Sequence, residues 1–127
     1  MDTVTGNPQR GPEMLIQAGE KIHVITRRNF ESQLRTHFAG KIDAVDGTDV
    51  RTTGYVFIYD ERSAQYVRKR SLRTTILDLS ESGYIVNLIP SNVNLDELRY
   101  EMFERSELFL TDGRDFRLNI NEFGAHR

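Results

Sequence analysis

The chain has 127 residues, enough for one domain with a sizeable core, and its formal net charge of −2 gives no overall attraction to nucleic acid. It contains no cysteine, which excludes disulfides, thiolate metal sites and cysteine nucleophiles. Residues 1–93 carry 12 basic and 11 acidic side chains, whereas residues 94–127 carry 5 basic and 8 acidic ones. The two parts therefore have formal charges of +1 and −3.

The N-terminal residues are polar and rich in glycine and proline, and they predict a disordered tail over residues 1–13. No apolar run reaches the roughly 18 residues that a membrane span needs, and no signal-peptide core is present. We therefore expect a cytoplasmic protein with no membrane partner.

Alternating apolar and polar residues predict five strands between residues 14 and 90. Asp46-Gly47 predicts a tight hairpin, and Gly54 predicts a bulge or sharp bend of the kind that curls a sheet into a barrel. The predicted strands are Lys21–Arg28, Gln33–Val45, Asp49–Tyr59, Tyr66–Leu79 and Tyr84–Ile89. Residues 14–90 are thus expected to form a small, strongly bent, five-stranded Sm-like or SH3-like β-barrel.

The pattern changes in residues 91–127, which we expect to form a C-terminal helix plus β-hairpin extension. Asn94 and Glu97 have the spacing of a capping box, and apolar residues follow at helical spacing, so a helix is predicted over Leu95–Glu104. A second hairpin is predicted from Leu108 to Ile120, with Asp112-Gly113 as its turn.

No constellation of catalytic or metal-binding residues is apparent. The three histidines, His23, His37 and His126, are too few and too scattered for a metal site. His23 and His37 fall on polar strand faces, which favours solvated side chains. The sequence therefore predicts a non-enzymatic protein with no cofactor and no metal.

The run Phe38-x-Gly40-x-Ile42-x-x-Val45-Asp46 resembles the first half of the first Sm motif of Sm and Hfq-like proteins. The resemblance extends over residues 19–90 and implies a small β-barrel that assembles into a homo-oligomeric ring through its strand edges, with RNA as a partner. At its next motif positions that family has an apolar residue and a base-contacting asparagine, and this chain has Asp49 and Val50 there.

A basic cluster offers a candidate nucleic-acid interface independently of the family. Lysine and arginine side chains can contact phosphates, and tyrosine rings can stack on bases. The candidate residues are Arg68, Lys69, Arg70, Arg73, Tyr55 and Tyr66. The alternative is a solvated edge strand whose charges protect it against aggregation.

Two other functions remain open. Asp78-x-Ser80-x-x-Gly83 is similar to one half of the PilZ signature and implies cyclic di-GMP binding, although the paired arginines of the other half are absent from the chain. A protein–protein scaffold without a nucleic-acid ligand is the other possibility. In such a module, Arg68 and Arg70 should be buried against carboxylates such as Glu101 or Glu104.

Overall fold

The computed structural model describes residues 15–26, 36–81, 83–103 and 107–120. These residues form nine strands in two antiparallel sheets and contain no α-helix, so the prediction of a mostly β protein is confirmed. Within them, no helical segment has the length and apolar character needed to cross a membrane. The predicted tail over residues 1–13 and His126 lie outside the described residues.

The first sheet has six strands in the order β4-β3-β2-β1-β6, and β5 also pairs with β3. The strands are β1 (Lys21–Thr26), β2 (Thr36–Asp46), β3 (Asp49–Asp60), β4 (Gln65–Arg68), β5 (Arg73–Asp78) and β6 (Tyr84–Ile89). The predicted fourth strand is thus divided in two, because residues 69–72 leave the ladder between β4 and β5.

Strand pairing does not close this sheet among the described residues, which differs from the predicted closed barrel. β6 lies at one end, and β4 and β5 share the opposite end. The second sheet covers one face of the first. It buries the apolar side chains that would lie inside a closed barrel.

Gly54, where the sequence predicts a bulge or sharp bend, lies opposite a second glycine. Gly40 of β2 and Gly54 of β3 lie directly opposite each other. A Cβ atom on Gly54 would lie 2.1 Å from the Ala39 carbonyl oxygen and 2.4 Å from the Gly40 Cα atom, so the two backbones approach more closely than any side chain allows. The register shift itself lies nearby in β2, between Ile42 and Ala44.

Both faces of the first sheet are buried, and each has its own apolar cluster. One cluster consists of Ile22, Val24, Phe38, Ile42 and Val50. The other lies between the two sheets and consists of Ile25, Ala39, Phe57, Tyr66, Ile89, Val93, Leu98, Leu108, Leu110 and Ile120. Because alternate residues of β1 and β2 enter different clusters, a polar residue on either face of these strands can be buried.

The predicted C-terminal helix is wrong. Asn94 does cap a turn, since its side chain accepts a hydrogen bond from the Asp96 backbone N–H at 3.0 Å, but the turn is a 3₁₀ segment that ends at Glu97. Leu98 is already extended, with φ −69° and ψ 138°. β7 (Arg99–Phe103) follows, because pairing with β8 and burial of the Tyr100 ring outweigh the local helical spacing.

The predicted hairpin is present. β8 (Glu107–Thr111) pairs with β7 and with β9 (Arg117–Asn119), so the second sheet has three strands. Gly113, in the β8–β9 turn, has φ +79°, as the Asp-Gly pair predicts.

The connection between the sheets is tied to β1. The Lys21 Nζ donates hydrogen bonds to the carbonyl oxygens of Ser91 (2.8 Å) and Val93 (2.5 Å). Val93 is also buried between the sheets.

Candidate nucleic-acid interface and assembly edges

The predicted basic residues lie on one edge of the first sheet. Arg68 ends β4, Lys69 and Arg70 lie in the break, Arg73 begins β5, and all four side chains are exposed. Within the part of the chain that the structure describes, Lys69, Arg70 and Arg73 have no ion-pair partner. Three exposed apolar side chains lie along the same edge: Val67, Leu72 and Ile76.

Arg68 and Tyr55 contact each other and the 3₁₀ turn. The Arg68 guanidinium lies 4.3 Å from the centre of the Tyr55 ring and donates a hydrogen bond to the Asp96 carbonyl oxygen at 2.7 Å. The Tyr55 hydroxyl donates to the Asp96 carboxylate at 2.5 Å, and this hydrogen bond raises the pKa of Tyr55. Both side chains therefore hold the turn against the sheet, and the guanidinium already covers one face of the ring.

Tyr66 does not lie with the basic residues. Its side chain is only 8% exposed, its ring stacks on His37 at 4.6 Å, and it lies 4.7 Å from Tyr100. The expectation that Tyr66 provides an open stacking surface is wrong, because the second sheet covers this face of β4. The structure thus leaves Lys69, Arg70 and Arg73 as the accessible part of the predicted interface.

The residues that resemble the PilZ signature close the turn after β5. The backbone N–H and hydroxyl of Ser80 donate to the Asp78 carboxylate at 3.0 and 2.6 Å. These hydrogen bonds lower the pKa of the Asp78 carboxyl. The pair forms an Asx-type turn, which accounts for both residue types without a ligand.

Hydrogen bonds at the start of β1 show which residues of this strand bond to β2 and which bond to β6. Gly19, with φ +94°, donates its N–H to the Ile42 carbonyl oxygen at 2.7 Å, and the Ile42 N–H donates to the Glu20 carbonyl oxygen at 2.8 Å. This is a bulge with glycine in the left-handed conformation. Glu20 therefore bonds to β2, and the direction alternates along β1 from that point.

The alternation leaves unpaired backbone groups on β6. Odd-numbered residues of β1 direct their backbone groups to β6, where they pair with residues 85, 87 and 89. The even-numbered residues of β6 direct their backbone groups away from β1, where the described residues provide no further strand. The residues with unpaired outward groups are Val86 and Leu88, whereas the Tyr84 N–H donates to the Glu81 carbonyl oxygen at 3.3 Å.

The side chains of β6 leave this edge unprotected. Its sequence, YIVNLI, contains no charge and no proline, and Leu88 is 55% exposed. Natural edge strands usually carry lysine, proline or a bulge that prevents pairing with another chain. The β4–β5 edge has charges and a break, whereas β6 has neither.

The two strand histidines are buried, so the expectation that they are solvated is wrong. His23 is 0% exposed and His37 is 2% exposed. His23 Nε2 lies 2.7 Å from the Tyr100 hydroxyl, which also contacts His37 Nδ1. Sequence alternation placed both on a polar face but could not show that a second sheet covers that face. Burial and the neighbouring His37 lower the pKa of His23 from 6.5 to about 3.

Comparison of the chain with family models, characterised proteins and solved structures finds no match. Among the described residues, no group of three or more histidine, aspartate or glutamate side chains is placed to hold a metal ion.

Proposed function

We propose that this protein is a non-enzymatic, Sm-like assembly module in which the β6 edge of one copy pairs with the β4–β5 edge of another. The observation that supports the proposal is the six-residue, uncharged outer edge of β6. An extended segment that adds to this edge gains main-chain hydrogen bonds and covers the Leu88 side chain.

The two edges of the first sheet differ in a way that favours head-to-tail association. β6 is uncharged, whereas the opposite edge carries Arg68, Arg73 and the exposed apolar Ile76. Two basic edges would bring like charges together, whereas the uncharged β6 edge meets no such repulsion at the β4–β5 edge. Head-to-tail contacts give a closed ring when the rotation between copies closes.

The test is the molar mass in solution, measured by size-exclusion chromatography with light scattering. We expect the wild-type chain to be a closed oligomer and Leu88→Lys to shift it toward the monomer, because the new charge would be buried at the contact. Met102→Lys is the matched control, since Met102 is 52% exposed on β7 of the second sheet. A wild-type monomer, or equal effects of the two variants, would contradict the proposal.

A second candidate function is association with RNA through the remaining basic residues. Lys69, Arg70 and Arg73 are exposed side chains in or beside one short break, so they can contact adjacent phosphates of a single strand. Exposed Leu72 lies among them and could contact a base.

Removing the three charges tests this candidate. We expect the combined variant Lys69→Ala, Arg70→Ala and Arg73→Ala to bind a single-stranded RNA more weakly, with the slope of log K against log salt reduced by about 2. Fluorescence anisotropy at several salt concentrations measures both quantities. A control variant removes three exposed charges elsewhere, at Lys41, Arg62 and Arg117. Equal losses of RNA affinity in the two variants would indicate that RNA is attracted by net charge and that these three residues do not form a site.

A further inference from the structure

We propose that the buried polar chain formed by Asn87, His23, Tyr100 and His37 is an acid-sensitive latch that holds the second sheet against the first. The proposal is independent of the proposed function, because it concerns the face of the first sheet and not its edges. Three of these residues belong to β6, β1 and β2 of the first sheet, and Tyr100 belongs to β7 of the second.

Tyr100 is the part of the latch that the second sheet contributes. Its hydroxyl contacts both imidazoles, and its ring lies edge-on to Phe57 at 5.2 Å and close to Tyr66 at 4.7 Å. Burial raises the pKa of this hydroxyl well above its usual value, so Tyr100 stays protonated. The contact between the sheets thus combines apolar packing with one hydroxyl shared by two imidazoles.

The geometry of these polar side chains determines which imidazole nitrogen atoms carry a proton. The Tyr100 hydroxyl has one hydrogen and can donate to one imidazole only, so the other imidazole must donate to the hydroxyl oxygen. His23 Nδ1 is buried and has no hydrogen-bond partner, and a buried lone pair without a partner costs less than a buried N–H without one. The favoured arrangement is therefore His23 Nε2–H donating to Tyr100, and Tyr100 donating to His37 Nδ1.

Asn87 extends the chain at its other end. It lies directly opposite His23 in the β1–β6 ladder, so both side chains are on the same face of the sheet. The Asn87 Nδ2 is also buried without a partner. A rotation of this amide lets it donate to His23 Nδ1, and each of the two atoms then gains the partner that it lacks.

An additional proton places a positive charge inside this buried arrangement. On His23 Nδ1 the new N–H needs the Asn87 amide to turn its oxygen toward it, and the imidazolium charge then stays buried beside a neutral partner. On His37 Nδ1 it would give the Tyr100 oxygen two donors and leave the hydroxyl hydrogen without an acceptor. Among the described residues, the polar groups that the structure places against the His23 ring are Tyr100 from β7, His37 from β2 and Asn87 from β6, and none of these is a carboxylate that could stabilise an imidazolium there. Protonation of His23 is therefore favoured when Tyr100 moves away and water enters.

The sign of the pH dependence follows from the pKa of His23, which is about 3 in the folded protein and 6.5 in its ordinary state. The open state binds more protons between these values, so the closed state is favoured fully above pH 6.5 and loses stability as the pH falls toward 3. For each proton taken up on opening, the equilibrium constant for closing falls by at most about tenfold per pH unit.

The test is hydrogen exchange of backbone amides, corrected for intrinsic rates, between pH 7 and pH 5. Unperturbed carboxylates stay ionised in this range, so histidine is the side chain that titrates there. We expect protection factors in β7–β9 to fall with pH by up to about tenfold per unit, while those in β2 and β3 fall less. Equal losses in both sheets, or no loss in β7–β9, would overturn the latch.

The variant Asn87→Asp tests the chemistry directly. A carboxylate at this position accepts a hydrogen bond from His23 Nδ1–H, so we expect the pH dependence of β7–β9 protection to become shallower. Asn92→Asp is the control, since Asn92 is exposed in the loop after β6 and adds the same charge. Titration of the His23 ring by NMR provides a measurement on the unmodified chain. A folded-state midpoint near 6.5, or identical behaviour of the two variants, would contradict the proposal.

Discussion

Gly54→Ala is expected to lower the free energy of unfolding by at least about 3 kcal/mol, because the added methyl group overlaps the backbone of the neighbouring strand. The Cβ atom would lie 2.1 Å from the Ala39 carbonyl oxygen and 2.4 Å from the Gly40 Cα atom. Both of these are main-chain atoms, so relief requires β2 and β3 to separate at the centre of the first sheet.

Gly47→Ala is the matched control for this variant. Gly47 has φ +63°, but its Cβ position has no heavy atom within 4 Å, so alanine there meets backbone strain without overlap. We expect a loss of about 1 kcal/mol, close to the cost of the left-handed conformation for a residue with a side chain. Urea unfolding at pH 7.5 measures both values. Similar losses would show that the sheet relaxes around Gly54.

The second large effect is expected at Tyr100. Tyr100→Ala removes a ring that contacts Phe57, Tyr66 and His37, and it also leaves the two imidazoles without their shared hydroxyl. A cavity of this size combined with unpaired buried polar groups predicts a loss of about 5 kcal/mol in the free energy of unfolding.

Tyr100→Phe separates the two contributions to this loss. The phenylalanine ring keeps the packing and removes only the hydroxyl, so we expect a loss of about 2 kcal/mol from the buried polar groups that remain. Urea unfolding of both variants at pH 7.5 gives the comparison. If phenylalanine costs as little as a surface substitution, the hydroxyl does not hold the two histidines, and the latch is excluded as well.

The sequence predicts most strands of the first sheet because local signals bound them. Asp46-Gly47 defines the β2–β3 hairpin, and β6 was predicted with its observed bounds, since glycine precedes it and proline follows it. The division of the fourth strand was missed, because residues 69–72 have no proline or glycine to mark the break.

The C-terminal helix was predicted wrongly because two periodicities coincide there. Leu98 and Met102 are four residues apart, which fits one face of a helix and also alternate positions of a strand. Tertiary contacts of Tyr100 decide between them, and the two histidines that its hydroxyl contacts are 77 and 63 positions away in the chain. No local pattern contains that information.

The candidate site was predicted only in part, for a related reason. Alternation distinguishes the two faces of a strand, but it does not show whether another layer covers either face. Lys69, Arg70 and Arg73 lie in or beside a break at an edge, where no covering layer is described, and they are exposed. Tyr66, His23 and His37 lie under the second sheet, and all three are buried.

The hydrogen bonds from Lys21 to Ser91 and Val93 have a consequence for the reversibility of opening. They hold the segment before β7 on the first sheet, so strands that swing away stay tethered close to their docking face. Reclosure is then a first-order process whose rate is independent of protein concentration, driven by a local concentration in the millimolar range. Pairing of β6 with another molecule is second-order, so dilution distinguishes the two events in a single sample.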